Sequence, residues 1–164
     1  MRDYLWIFRK FNEHGIRYVV VGGIAMNLHG VPRMTYDLDV LLDLKDDNLR
    51  AFLSLLKSWG FKPKVPVDIM DFADGAKREE WIRDKNMKAF NLVNPGWAIS
   101  EIDVIIDAPV DYEEAKKGMT RIALEDVAVP LISAGGLIKM KEAAGRKQDK
   151  SDILAIKGLS HEKG

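Results

Sequence analysis

Residues 18–44 read Tyr18-Val-Val-Val21-Gly22-Gly23-Ile-Ala-Met-Asn-Leu-His29-Gly30-Val-Pro32-Arg33-Met-Thr35-Tyr-Asp37-Leu-Asp39-Val-Leu-Leu-Asp-Leu44. Val19 to Val21 form a β-branched run that favours a buried strand. Gly22-Gly23 breaks it, and a short apolar helical segment follows from Ile24 to His29, stopped by Gly30 and Pro32. A second strand starts at Asp37, with Leu38 to Leu42 as a hydrophobic run interrupted by Asp39. Residues two apart in a strand face the same way, roughly 7 Å apart, so Asp37 and Asp39 share a face. Two acids beside a buried run are unfavourable unless something compensates them. A divalent cation does so: Mg²⁺ takes one or two carboxylates and completes its shell with water and phosphate oxygens. Upstream, a glycine pair opening a helix lets a phosphate approach the backbone N–H groups closely. Singly, Gly-Gly is a turn and Asp-Leu-Asp a solvated strand face. In this order, with Arg33 and Thr35 ahead of the acids, they describe a phosphate cradle joined to a metal site.

Composition narrows the class. The chain has 164 residues, 47% of them hydrophobic, enough for one domain with a sizeable core. Lys+Arg and Asp+Glu are both 25, so the net charge is zero and a strong non-specific grip on nucleic acid is not indicated. The absence of cysteine excludes disulfides, thiolate zinc sites and cysteine nucleophiles, and suits a reducing, cytoplasmic setting. The opening residues lead into a charged amphipathic segment rather than a signal peptide, and no apolar stretch is long enough to span a membrane.

Outward from the central stretch, Asp3 to Glu13 reads as a helix facing inward with Leu5, Ile7, Phe8 and Phe11, ended by Gly15. Asp46 or Asp47 caps a helix to Ser58, with Leu49, Phe52, Leu53, Leu55 and Leu56 inward. Residues 62–74 read as loop with one short strand or helix. Ala76 to Lys85 reads as a helix turning Trp81 and Ile82 inward, and Met87 to Val93 as a strand before the turn Asn94-Pro95-Gly96. Ile99 to Asp107 is a strand with Glu101 and Asp103 on one face and Ile102, Val104 and Ile106 on the other. Asp111 to Lys117 reads as a brief helix, and Thr120–Leu124 and Val127–Val129 as strands, the latter ended by Pro130. Ser133 caps a helix ending near Gly145. Asp149 reads as the N-cap of a last helix, with Asp152 in a capping-box-like position and Ile153, Leu154, Ile156 and Leu159 inward, before a frayed tail from Ser160 to Gly164.

The series hydrophobic-Gly22-Gly23, then Arg33-Met34-Thr35-Tyr36-Asp37-Leu38-Asp39, then a later hydrophobic-Asp103-hydrophobic strand, resembles the nucleotidyltransferase superfamily with its DNA polymerase β-like fold. The stretch Lys141-Glu142-Ala143-Ala144-Gly145-Arg146-Lys147-Gln148-Asp149-Lys150-Ser151-Asp152 is similar to the ending of small bacterial nucleotidyltransferase-like proteins related to AbiEii-type toxins. These resemblances imply an α/β (α+β) fold over 1–164: a small mixed sheet carrying the acids, with helices around it. They imply transfer of a nucleoside monophosphate from an NTP to a hydroxyl of RNA, a protein or a small molecule. Asp37, Asp39 and Asp103 would be catalytic and hold Mg²⁺ (or Mn²⁺); Gly22, Gly23, Arg33, Thr35 and Lys141, with Lys139 behind it, would hold the nucleotide phosphates. A cognate antitoxin is an implied partner. The competing expectations are a non-catalytic nucleotide-binding module that needs a partner protein, and a metal-dependent nuclease.

Overall fold

The computed structural model describes residues 3–162, with side chains described as far as Leu159. Seven strands form one mixed sheet: β1 (Tyr18–Val21), β2 (Asp37–Leu42), β3 (Lys62–Pro63), β4 (Ala89–Val93), β5 (Glu101–Ile105), β6 (Thr120–Leu124) and β7 (Val127–Leu131), in the order β3-β4-β5-β2-β1-β7-β6. The β2–β5 and β1–β7 pairs are parallel and the others antiparallel. The helices are α1 (Tyr4–Glu13), α2 (Gly22–Leu28), α3 (Asp46–Ser58), α4 (Gly75–Lys85), α5 (Tyr112–Gly118), α6 (Ala134–Ala144) and α7 (Lys147–Glu162), with a 3-10 turn at Ile69–Ala73.

Alternation along the central strands separates core from site. Leu38, Val40, Ile102 and Val104 are fully buried on one face of β2 and β5, joining Phe8, Phe11, Phe52 and Phe90 in the core. The other face carries Asp37, Asp39, Glu101 and Asp103. The 3-10 turn is fastened to the sheet by Phe72, whose ring stacks on that of Phe90 at 4.5 Å between centroids.

Several local expectations hold. Asp3 caps α1 by accepting from Trp6 N, Ser133 caps α6 through Gly136 N, and Gly15 and Gly145 end their helices with positive φ. Others are corrected. Neither Asp46 nor Asp47 caps α3: Lys45 occupies that place without a side-chain bond, while Asp46 pairs with Arg50 and Asp47 with Arg17. Both acids still lie in the first turn, where the helix dipole favours them. Pro130 lies inside β7 rather than after it. β1 meets β7 only at Val20↔Leu131, so a residue without an N–H disrupts little there. In α7, Leu154 is 72% exposed and only Ile156 is fully buried among the four residues expected inward. The helix starts at Lys147, so Asp149 lies in its first turn rather than at the cap, and its carboxylate reaches back to accept from Arg146 N at 3.1 Å. Of the tail expected to fray, the backbone to Glu162 continues α7, and Lys163 and Gly164 lie outside the described residues.

α4 buries no residue completely, so its start depends on capping. Asp74 accepts from both Ala76 N and Lys77 N. Asp74→Ala is expected to destabilise the protein by about 1 kcal/mol, read as a lower urea midpoint with an unchanged slope.

Candidate functional site

Strand register builds the site. In the parallel pair Asp37 stands opposite Glu101 and Asp39 opposite Asp103. β1 contributes Val21 opposite Asp39, and β4 contributes Asn91 opposite Asp103. Asp103 is therefore hemmed in on both sides and is only 7% exposed, whereas Asp39 is half-buried and Asp37 exposed. Carboxylate oxygens of Asp37, Glu101 and Asp103 all lie within 4.8 Å of one another. Asn91 Nδ2 donates to Asp103 Oδ1 at 2.8 Å, and Lys64 Nζ pairs with Glu101 at 2.5 Å.

Burial, and then crowding, raises the affinity of these acids for protons. Burial pushes the Asp103 carboxyl well up, Glu101 and Asp39 add to the effect, and the Asn91 amide opposes it. Burial likewise raises Asp39, with Asp37 and Glu101 adding to it and Lys141 opposing it. Asp37 is raised by burial and then by Glu101. Such a group of hard oxygen donors matches what Mg²⁺ or Mn²⁺ takes, and a dication would offset the burial and the repulsion that raise the pKa values. The residues present fit that ion.

Gly22 and Gly23 have a reason that the sequence alone does not show. Gly22 has φ +70°, and a Cβ there would lie 2.0 Å from Asp39 Oδ2. A Cβ on Gly23 would lie 3.3 Å from Thr35 Oγ1 and 3.7 Å from Arg33 Cδ. The glycine pair thus makes room for the acid-bearing strand and the loop leading into it. No side chain caps α2, whose first turn begins at this point. Thr35 pins the start of β2: its hydroxyl donates to Asp37 O at 3.0 Å and accepts from Asp37 N at 3.3 Å.

A cleft of about 600 Å³ opens between the acid face and α6, lined by Gly22, Asp39, Ala89, Ile105, Leu137 and Lys141, among others. Lys88, paired with Asp107, also lines it. Its volume is that of a pocket for one small ligand. Lys141 is 8% exposed and donates to Asp152 Oδ2 at 2.8 Å, with Asp149 at 3.5 Å. Arg33 bonds to the same Asp152. Burial opposes ionisation of Asp152, yet hydrogen bonds from Lys141 and Gln148 hold its carboxyl below the usual range. Lys139 instead pairs with Glu114, away from the acids.

Of the residues expected to form a site, Asp37 and Asp103 join Glu101 in the carboxylate cluster, while Gly22, Asp39 and Lys141 line the cleft. Gly23, Arg33 and Thr35 form the adjoining layer. Sequence reasoning gave Glu101 only a supporting place and missed Asn91 and the tie between Asp152 and Lys141. Asn91 is the single amide in the strand Ala89–Val93, an available signal whose meaning depends on β4 lying beside β5.

Among solved structures, the chain is similar to a lincosamide antibiotic adenylyltransferase, LnuA, in its lincomycin-bound form: TM-score 0.64 and 15% identity over 95% of each chain. It is also similar to an antigenic nucleotidyltransferase-like protein from Paracoccidioides brasiliensis, with TM-score 0.53 and 20% identity over 93% of this chain and 72% of the other. A Thermotoga maritima protein provisionally assigned as a nucleotidyltransferase matches at TM-score 0.54 and 15% identity, over 97% of this chain and 93% of the other. No protein-family profile matches the sequence, and no curated protein does. The fold is the nucleotidyltransferase fold, as the acid motifs imply. Among the described residues no helix is long and apolar enough to cross a membrane.

Proposed function

We propose that this chain is a Mg²⁺- or Mn²⁺-dependent nucleotidyltransferase that moves a nucleoside monophosphate from an NTP to a hydroxyl acceptor. The observation that supports it most is the pairing of Asp39 with Asp103 across parallel strands, flanked by Asp37 and Glu101 and set against Gly22. Asp37, Asp39 and Asp103, with Glu101, would hold the metal, which when bound supplies charge neutralisation for the triphosphate and a more acidic acceptor hydroxyl. The uncapped start of α2 and the Lys141 ammonium would bind phosphate oxygens. The acceptor oxygen attacks the α-phosphorus, its proton passes to a carboxylate of the cluster, and the bond to pyrophosphate breaks; positioning does most of the work.

The acceptor favoured is a small hydroxylated molecule. The zero net charge provides no basic excess for nucleic acid, and a structural neighbour is an antibiotic adenylyltransferase. The AbiEii-like ending, Lys141 to Asp152, supports membership of a toxin–antitoxin or abortive-infection system, with a cognate antitoxin as partner.

Calorimetric titration of each NTP, with and without Mg²⁺, tests the reading. Mg²⁺-dependent binding of at least one NTP is expected, with loss in Asp103→Asn. A folded wild-type protein that binds none of the four rejects it, and binding only in complex with a partner moves the non-catalytic module ahead.

A further inference from the structure

We propose that Asp152 is a positioning residue for the donor's phosphates: from its buried place on α7 it holds Arg33 and Lys141, two cations from other elements, beside the glycine pair and the acid cleft. The inference rests on the nucleotidyltransferase reading. Asp152 is 3% exposed and its two oxygens divide three donors. Oδ1 accepts from Arg33 Nη2 and from Gln148 Nε2, and Oδ2 accepts from Lys141 Nζ at 2.8 Å. Arg33 belongs to the loop that leads into β2, and its stem lies over Gly23. Lys141 belongs to α6 and lines the cleft together with Gly22 and Asp39. One carboxylate therefore ties the acid loop, the helix over the cleft and the last helix together at a single point.

Arg33, Lys141 and Arg146 face Asp149 and Asp152, Asp149 being taken mainly by Arg146, whose Nε donates to it at 2.7 Å. Asp39, which lines the same cleft as Lys141 and Arg146, is the third carboxylate facing these three cations. A buried ion pair is a weak source of net stability; what it supplies is fixed geometry. Free Arg and Lys side chains lose much rotamer freedom on ordering. Here that ordering is complete before a ligand arrives, and among the described residues the Arg33 guanidinium donates to Asp152 alone, which leaves further N–H donors for phosphate oxygens. Its side chain is 25% exposed. Asp152 touches no reacting atom; it acts through the two cations.

The test is calorimetric binding of the Mg²⁺ complexes of the four NTPs and of inorganic tripolyphosphate to full-length wild type and Asp152→Asn, with the matching nucleoside as control. Asp152→Asn is expected to weaken NTP and tripolyphosphate binding by about tenfold or more and to leave nucleoside binding unchanged. In an Arg33→Gln/Lys141→Gln background the same substitution is expected to add nothing. Phosphate affinity in folded Asp152→Asn equal to or tighter than wild type overturns the inference alone. A wild type that binds neither NTP nor tripolyphosphate overturns the function it rests on as well. Should Asp152→Asn fail to fold, Arg33→Gln, altered at a partly exposed side chain, carries the test: tripolyphosphate affinity equal to wild type overturns the proposal.

Discussion

Asp103→Asn is expected to abolish nucleotidyl transfer, by about a thousandfold or more, while making the metal-free protein more stable. The loss follows from removing a charged oxygen donor where several kcal/mol of transition-state charge stabilisation would be organised, each 1.4 kcal/mol being about a factor of ten. The gain follows from burial. Asp103 is nearly enclosed, opposite Asp39 and beside Glu101, and its carboxyl is pushed from 3.8 up to about 8. A carboxyl that holds its proton more tightly in the folded state than in the unfolded one costs no stability below its unfolded pKa. The penalty grows as pH rises through the window between the two values and levels off above the folded one. The wild-type protein in chelator should therefore be more stable at pH 5 than at pH 8, and Mg²⁺ should restore part of the difference. Asparagine keeps the size and removes the charge, so the variant should lose most of that pH dependence and all of the Mg²⁺ effect. Melting curves at both pH values, with EDTA and with Mg²⁺, check this; an increase of about 3 °C or more at pH 8 in EDTA is expected. A variant less stable than wild type under those conditions would show that the acids are not crowded as described.

The second large effect is at Gly22. Gly22→Ala should destabilise the protein by about 3 kcal/mol or more, because two costs add. A left-handed residue with a Cβ costs about 1–2 kcal/mol. The new methyl would also stand 2.0 Å from Asp39 Oδ2 and 2.8 Å from Asp39 Cβ and Cγ, and overpacking costs about 1–3 kcal/mol. Asp39 cannot retreat, since its strand is paired on both sides, to β1 and to β5. Nucleotide binding should fall with stability. Two other glycines serve as controls. Gly23 has its nearest neighbour at 3.3 Å, so Gly23→Ala should be milder. Gly135 has nothing within 4 Å, so Gly135→Ala in α6 should be neutral or slightly stabilising. Chemical denaturation of the three variants gives the ranking directly.

What the sequence discloses here is what short-range patterning carries. Val19 to Val21, the glycine pair and the alternation through Asp37 and Asp39 lie within one stretch, so the strand–helix–strand unit and two of its acids are readable there. Asp103 is recognisable because a lone acid inside Ile102-Asp103-Val104 contradicts its own strand. What pairing decides is not readable. Glu101 joins Asp37 and Asp103 only because β2 and β5 run parallel in that register. Asn91 reaches Asp103 only because β4 flanks β5. Asp149 and Asp152 have the spacing of a capping box, yet Asp152 answers to Arg33, more than a hundred positions away in the chain. Pro130 is a strand breaker by composition and a strand residue by position.

The parallel pairing of β2 with β5 also bears on when the site comes into being. β1, α2 and β2 follow one another in sequence, so Gly22 and Asp39 can meet through a short loop closure. Asp103 joins only after about sixty further residues are looped back, a step whose entropy places it late among the contacts that limit folding. A nascent or partly unfolded chain therefore contains half of the carboxylate set and cannot assemble the rest locally. Recovery of Mg²⁺-dependent nucleotide binding during refolding should lag the formation of helical signal and coincide with protection of the β2 and β5 amides, which makes ligand binding a clock for the closure of the sheet's centre.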